Sequence, residues 1–360
     1  MPVPRPPAPL QPRAIDLHAH FLPARYRAAA LAHGQAHPDG MPALPEWDAA
    51  DAVAMMDDVG IAAAALSISS PGVSFLDSPA EQASLTRAVN EDGAAAVAAY
   101  PDRFGLLASL PLPGVAAALA EIGHAFDVLG ADGIGLHTHY GPVYLGDAGL
   151  DPVMAALDAR GALVTIHPAS PCGWEQVSFG RPRPMVEFLF DTTRAVVNLA
   201  LNGVLDRYPA IRWVVPHAGA ALPVLADRVD RLYPLICPAV PSGSPGSPGA
   251  AAGSPPVDVI AALGRLYYDL AGLPLPRALP ALLSLVEPSQ IVYGSDYPFT
   301  PAATVRAFAE AIAATDVLDS GTRAAALHGN ALRLLPRLAR ALPATAPAPG
   351  PAPGPAPAPR

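Results

Sequence analysis

Short runs of crowded apolar residues alternate along this chain with longer alanine-rich stretches whose apolar positions recur at helical spacing. The first run, AIDLHAH at residues 14–20, predicts a strand. A loop rich in Pro, Gly and His follows, and then a helix from Asp48 to Val59, begun by an acid and stopped by Gly60. IAAAALSIS predicts strand two, and an alanine-rich helix over Pro79 to Tyr100 leads through the turn PDRFG into LLASL, strand three. PGVAAALAEIGHAFDVLG reads as a helix ending at Gly130, DGIGLHTHY as strand four with its exit loop, and DPVMAALDARG as a helix opened by proline and closed by glycine. ALVTIHP is strand five, Met185 to Tyr208 a helix, IRWVVPH strand six, Ala220 to Ile236 a helix, GRLYYDLAG strand seven and QIVYGSDYP strand eight. Helices near Pro301 to Thr315 and Gly321 to Leu335 end the pattern.

Eight strand-helix units in series, with strands too apolar to face water, predict an α/β fold, a closed (β/α)8 TIM barrel with its helices outside. An open doubly wound sheet is the alternative, but no strand leads into a Gly-x-Gly-x-x-Gly turn. Residues 1–13 form a proline-rich arm and 14–340 the barrel domain, with a Pro/Gly/Ser-rich insertion at 239–256. The Pro/Ala-rich tail, 341–360, is expected to be disordered.

Composition narrows the chemistry. A net charge of -9 argues against a nucleic-acid surface, which needs clustered basic residues. No apolar run is long enough to span a bilayer, and the N-terminal prolines break any signal-peptide pattern, so the expected place is the cytoplasm, with no membrane partner. Cys172 and Cys237 are too few and too far apart for a disulfide framework or a thiolate metal site, and each is expected to be a small packed residue. The chain contains no lysine, which excludes Schiff-base, pyridoxal-phosphate and P-loop chemistry.

Alternate positions of a strand share a face, so His18 and His20 project together, into the interior if the first strand is a barrel strand. His167, His217 and Asp296 fall at the ends of strands five, six and eight, the rim where barrels carry their chemistry. Any one of them alone reads most simply as a satisfied polar residue. As a set they would crowd several costly polar groups together unless something bound them, and imidazole and carboxylate suit zinc, manganese or iron. Asp16 is expected one step deeper on the same face, as a hydrogen-bond partner. His33, His37, His124 and His328 read as structural or solvent-exposed.

IDLHAHFLP, DTTRAV, HPASP, PHAGA and YGSDYPF, in this order, resemble the amidohydrolase superfamily, in the group related to aminocarboxymuconate semialdehyde decarboxylase. GMPALPEW, LSISSPGV, PLPGVAAALAEI and LGADGIGLHTHYG are most similar to its 6-methylsalicylate decarboxylase-like members. The resemblance implies a metal-dependent hydrolase-like barrel in which His18, His20, His167 and Asp296 bind one divalent ion, Zn2+ or else Mn2+. It implies that His217 handles protons beside them, with His217 and Asp296 as the catalytic pair. The binuclear branch of the superfamily bridges its metals through a lysine, so a lysine-free chain fits a single ion. The implied reaction is non-oxidative decarboxylation of a small hydroxylated aromatic or muconate-like carboxylic acid. A hydrolase or hydratase acting on a lactone, an amide or a conjugated double bond at the same site is the alternative. Arg194 could grip a substrate carboxylate, and Ser69 and His139 could line the pocket. The resemblance also implies a homodimer or higher homo-oligomer.

Overall fold

The structure, a computed structural model, describes residues 13–237 and 257–342. The expected arm, insertion and tail therefore fall almost wholly outside the described residues. Eight strands, β1 (Ala14–His20), β2 (Ile61–Ser67), β3 (Phe104–Ser109), β4 (Gly133–His137), β5 (Leu163–His167), β6 (Arg212–Val215), β7 (Tyr267–Asp269) and β8 (Ile291–Val292), form one sheet in sequence order. Every neighbouring pair is parallel. The sheet closes where the chain after β8 runs beside β1: Leu17 N donates to Tyr293 O at 2.9 Å and His20 N to Tyr297 O at 2.7 Å. The result is the expected TIM barrel, and closure leaves it without an open sheet edge.

The two faces of the barrel wall bury different residues. Ile15, Leu17, Ala63, Ala65, Leu107, Leu163, Val214 and Val292 pack together from six strands, which only the barrel interior permits. Ala331, Leu334, Leu335 and Leu338 from the last helices join them and plug the end of the barrel away from the rim. Ala14, Ala19, Ala64, Leu66, Phe104, Ile134, Val164 and Trp213 face outward into a larger core shared with the surrounding helices. The helices follow their sequence signals where these are strong. Asp48 caps Ala49–Val59 by accepting from the amides of Ala50 and Asp51, and Gly60 ends it in a left-handed conformation.

One irregularity matters for the site. From Asp16, opposite Ala64, to Ala19, opposite Leu66, β1 spends one residue more than β2. This bulge turns His18 and His20 inward above Ile15 and Leu17, whereas strict alternation would have kept the interior face on odd-numbered residues. Asp16 alternates with Ile15 and Leu17, so the expectation that it shares the face of His18 is corrected. It lies on the opposite side of the wall, fully buried, and its Oδ1 accepts from His18 N at 3.0 Å and Ser295 N at 3.1 Å, pinning the bulge to the segment after β8.

Other expectations change in detail. The loop after β1 contains a helix, Ala24–Ala32, and the exit of β4 folds back as a two-stranded antiparallel ribbon pairing His139 with Tyr144. The helix expected over Met185 to Tyr208 divides at Gly203 into Glu187–Leu201 and Val204–Arg207. Both cysteines are exposed rather than packed, because each lies in a segment outside the barrel wall. Among the described residues, no helix is long and apolar enough to cross a membrane.

Candidate active site

His18 and His20 from β1, His167 from the end of β5 and Asp296 from the segment after β8 meet at the rim. One ligating atom from each lies within 4.8 Å of the others. The far nitrogen of each imidazole is held by an oxygen. His18 Nδ1 lies 2.8 Å from Asp269 Oδ2, His20 Nδ1 3.3 Å from Ser67 O, and His167 Nδ1 2.7 Å from Pro168 O. With Nδ1 held by an oxygen, Nε2 is the nitrogen of each ring left to ligate a metal once any proton on it is released. His18 Nε2 is buried and has no hydrogen-bond partner. Asp296 Oδ1 stands 3.1 Å from His20 Nε2 and 3.6 Å from His18 Nε2. Three convergent imidazole nitrogens and a carboxylate, with His18 Nε2 otherwise orphaned, fit a single divalent cation.

The electrostatics agree. Burial opposes charge on His18, but Asp269, Asp296 and Asp16 outweigh it and raise the imidazole to about 9. Burial alone would raise Asp296, but its hydrogen bond to His20 and the nearby imidazoles hold it down to about 2. Burial, aided by neighbouring imidazoles, lowers His20 and drives His167 well below the ordinary histidine value. Positive and negative charge are thus packed into a small space, the condition a divalent ion resolves.

The backbone is shaped to this end. His217, Ala218, Ala220 and Asp296 all take left-handed conformations, with φ of 57°, 52°, 56° and 59°. Each is costly for a residue with a side chain, and such strain collects at functional sites. Gly294 lies beneath His18, where a Cβ would stand 2.7 Å from His18 Cβ and 3.2 Å from Asp269 Cγ.

His217 follows β6, its ring centroid 5.1 Å from that of His18. Its amide donates to Asp269 Oδ1 at 3.0 Å, and its Nδ1 is buried without a partner. Burial, reinforced by His18, lowers its pKa. Ser69 Oγ lies 3.3 Å from His167 Nε2, and His139 lines a cavity in the barrel mouth with its ring stacked on Tyr144 at 4.8 Å. Arg194, the expected grip on a substrate carboxylate, does not line that cavity. Its guanidinium donates to Asp191 Oδ1 at 2.9 Å, and its side chain is 53% exposed. The fully buried Asp191 captures it while also accepting from Thr138 and Tyr144.

Asp269 was missed in the sequence. A lone acid after two tyrosines in GRLYYDLAG gave only one signal, its position at a strand end. Asp191 sat unread within DTTRAV, where the arginine drew attention.

Comparison with known proteins places this geometry in a family. The Amidohydrolase family profile matches residues 15–337. A 6-methylsalicylic acid decarboxylase of Penicillium expansum is 33% identical over 327 residues, covering 90% of this chain and 96% of the relative. Another, from Aspergillus aculeatus, is 35% identical over 335 residues, covering 91% and 97%. Among solved structures, a 5-carboxyvanillate decarboxylase of Novosphingobium aromaticivorans complexed with manganese and 4-hydroxy-3-methoxy-5-nitrobenzoic acid superposes with a TM-score of 0.79. It shares 22% identity, covers 90% of this chain and 96% of that one, and supports the fold. With its profile match spanning the barrel and its relatives aligned along nearly their whole length, the chain belongs to the amidohydrolase family, in the group that includes the 6-methylsalicylic acid decarboxylases.

Proposed function

We propose that this protein is a metal-dependent, non-oxidative decarboxylase of a hydroxylated aromatic carboxylic acid. The observation that carries the reading is the meeting of His18, His20, His167 and Asp296, with ligating atoms within 4.8 Å, in a chain similar over at least 90% of its length to named decarboxylases. These four residues would hold one divalent ion. Three imidazoles and a carboxylate favour zinc, with manganese the other ion suited to the set. When bound, the ion would supply positive charge to polarise a carboxylate and the phenol oxygen beside it.

The chain's own groups do the rest. Asp269 and the carbonyls of Ser67 and Pro168 hold the imidazoles in the ligating tautomer. The apolar wall of the barrel mouth, with Ile68, Leu110 and Leu112, excludes water around the ring. His217 or Asp296 would deliver the proton to the ring carbon bearing the carboxylate. Once that carbon is protonated, its bond to the carboxylate breaks, the electron pair returns to the ring and carbon dioxide leaves. No oxidant is consumed.

A homodimer or larger assembly and a cytoplasmic location belong to the same proposal. Val177, Phe179, Met185, Val186 and Phe190 are exposed large apolar side chains close in sequence, a surface suited to burial against a second copy. Two unpaired, exposed cysteines suit a reducing compartment.

The test is to incubate metal-loaded protein with hydroxybenzoates and with lactones, measuring carbon dioxide against acid release. Carbon dioxide with the matching phenol is the expected result, and acid release from lactones alone would establish a hydrolase instead. His217→Ala should keep the metal and lose turnover. Loss of metal equal to that of His18→Ala would make His217 a ligand.

A further inference from the structure

Beside the four-ligand cluster, the barrel mouth holds a cavity of about 110 Å3, bounded by the exits of β2, β3, β4 and β5. Ile68, Val73, Leu110 and Leu112 make its wall largely apolar, and none of the four clustered ligands lines it. One water needs only about 10–15 Å3 of such space, so the cavity has room for several heavy atoms. Gly135 of β4 lines it as well. His137, at the rim, pairs in register with His167, and Gly135, two residues earlier, pairs with Thr165. Gly135 therefore lies one layer below the rim, about 7 Å further into the barrel. It is partly exposed between Ile134 and Leu136, which are 0% and 1% exposed, so the surface it shows is that of the cavity.

Nothing in the fold requires a glycine there. A glycine inside a strand weakens it, and it marks a bulge, a close backbone neighbour or the approach of a ligand. The pairing of β4 runs without a bulge on either side, and Gly135 is not left-handed. An added Cβ would meet Ser67 Cβ at 3.5 Å, Thr165 Oγ1 at 3.7 Å and Leu107 O at 3.9 Å, all ordinary contacts. Ser67 belongs to β2, which does not adjoin β4, so that Cβ would point into the barrel. Gly133, one layer deeper, is the contrast, since a Cβ there would stand 2.6 Å from Leu163 O. With bulge, left-handed turn and backbone contact set aside, the missing side chain at Gly135 serves the depth of the cavity. Ser109, its partner on β3, lines the same floor, its amide and carbonyl both held by Asn90.

We propose that Gly135 is a specificity-determining residue that gives the pocket its depth, admitting hydroxybenzoates whose ring carries an alkyl group longer than methyl. The inference rests on the decarboxylase reading and deepens it by naming a substrate class. A methyl substituent enters the same pocket and leaves its floor empty. A chain of about two or three carbons reaches the layer of Gly135, each carbon gaining apolar contact. A second carboxylate would find no arginine in the wall.

The experiment compares metal-loaded wild type, Gly135→Ala and Ser109→Thr on 2-hydroxybenzoates bearing a methyl, ethyl or propyl group at each free ring position. Carbon dioxide release gives kcat/KM and calorimetry gives Kd. In the wild type the best propyl isomer should equal or exceed its methyl counterpart in both. Gly135→Ala should lower the propyl-to-methyl ratio about tenfold or more, the cost of displacing roughly one methylene. Ser109→Thr adds a methyl to the same layer and keeps the hydroxyl, so it should lower the ratio in the same direction, and it decides the matter if Gly135→Ala does not fold. A wild type that disfavours propyl by about tenfold, or a folded, metal-replete Gly135→Ala with an unchanged ratio, would overturn the assignment. If no acid releases carbon dioxide, the decarboxylase reading fails and the ratio in Kd still decides the role of Gly135. Failure of every acid to bind would overturn both.

Discussion

Asp269 holds His18 Nδ1 with one oxygen, at 2.8 Å, and the His217 amide with the other, at 3.0 Å, so one carboxylate orients both a ligating and a proton-handling histidine. Replacing it with Asn keeps the shape and removes the charge that orients the imidazole. Asp269→Asn should weaken metal retention about 10–100-fold, read by competition with a chelator, and an unchanged affinity would show that His18 is oriented without it. The residue scale also sets the pH dependence of metal uptake. His18, raised to about 9, carries a proton near pH 7 in the metal-free protein, while His20 and His167 are lowered and already neutral. Uptake must therefore expel one proton from His18, so affinity should rise about tenfold per pH unit from 7 to 9 and then level. Indicator dye should report one proton released per ion at pH 7, and none released would contradict the assignment. The five histidine and aspartate positions proposed for the site were legible because each lies within or just after a recognisable apolar strand. Asp269 was not, since its partner His18 lies 251 positions away along the chain and only the folded barrel joins them.

At the scale of elements, the strand and helix periods of the sequence located all eight strands, because each is an apolar run between turn residues. What they could not show was the bulge in β1, since one extra residue shifts the alternation without changing composition. The helix Ala24–Ala32 was equally hidden: it buries only Tyr26 and Ala30, too few to write a helical stripe. The bulge needs room on its far side, which Gly294 provides. Gly294→Ala would place a methyl 2.7 Å from His18 Cβ, displacing the one histidine that Asp269 aligns. The variant should retain its far-UV circular dichroism and lose stoichiometric metal, and full metal content would contradict this account of the close approach.

The whole molecule is a closed wall with a plug at one end and chemistry at the other. Leu334, Leu335 and Leu338 are each 0–1% exposed in the plug. Each such leucine is worth about 2–5 kcal/mol when truncated, so losing three together matches the entire stability of a typical domain. A chain ending at Arg333 should not fold, whereas one ending at Leu342 should keep full activity, both checked by thermal unfolding and turnover. Sedimentation should find about twice the chain mass or more, and a monomer at micromolar concentration would remove the proposed assembly. The most direct test of the central claim is turnover of carboxyl-labelled hydroxybenzoate in deuterium oxide by metal-loaded protein, beside metal-stripped protein and His18→Ala. Labelled carbon dioxide should appear in step with a phenol deuterated at the carbon that bore the carboxylate, only where the metal is retained. Turnover that persists without metal, or no labelled carbon dioxide from any hydroxybenzoate, would contradict it.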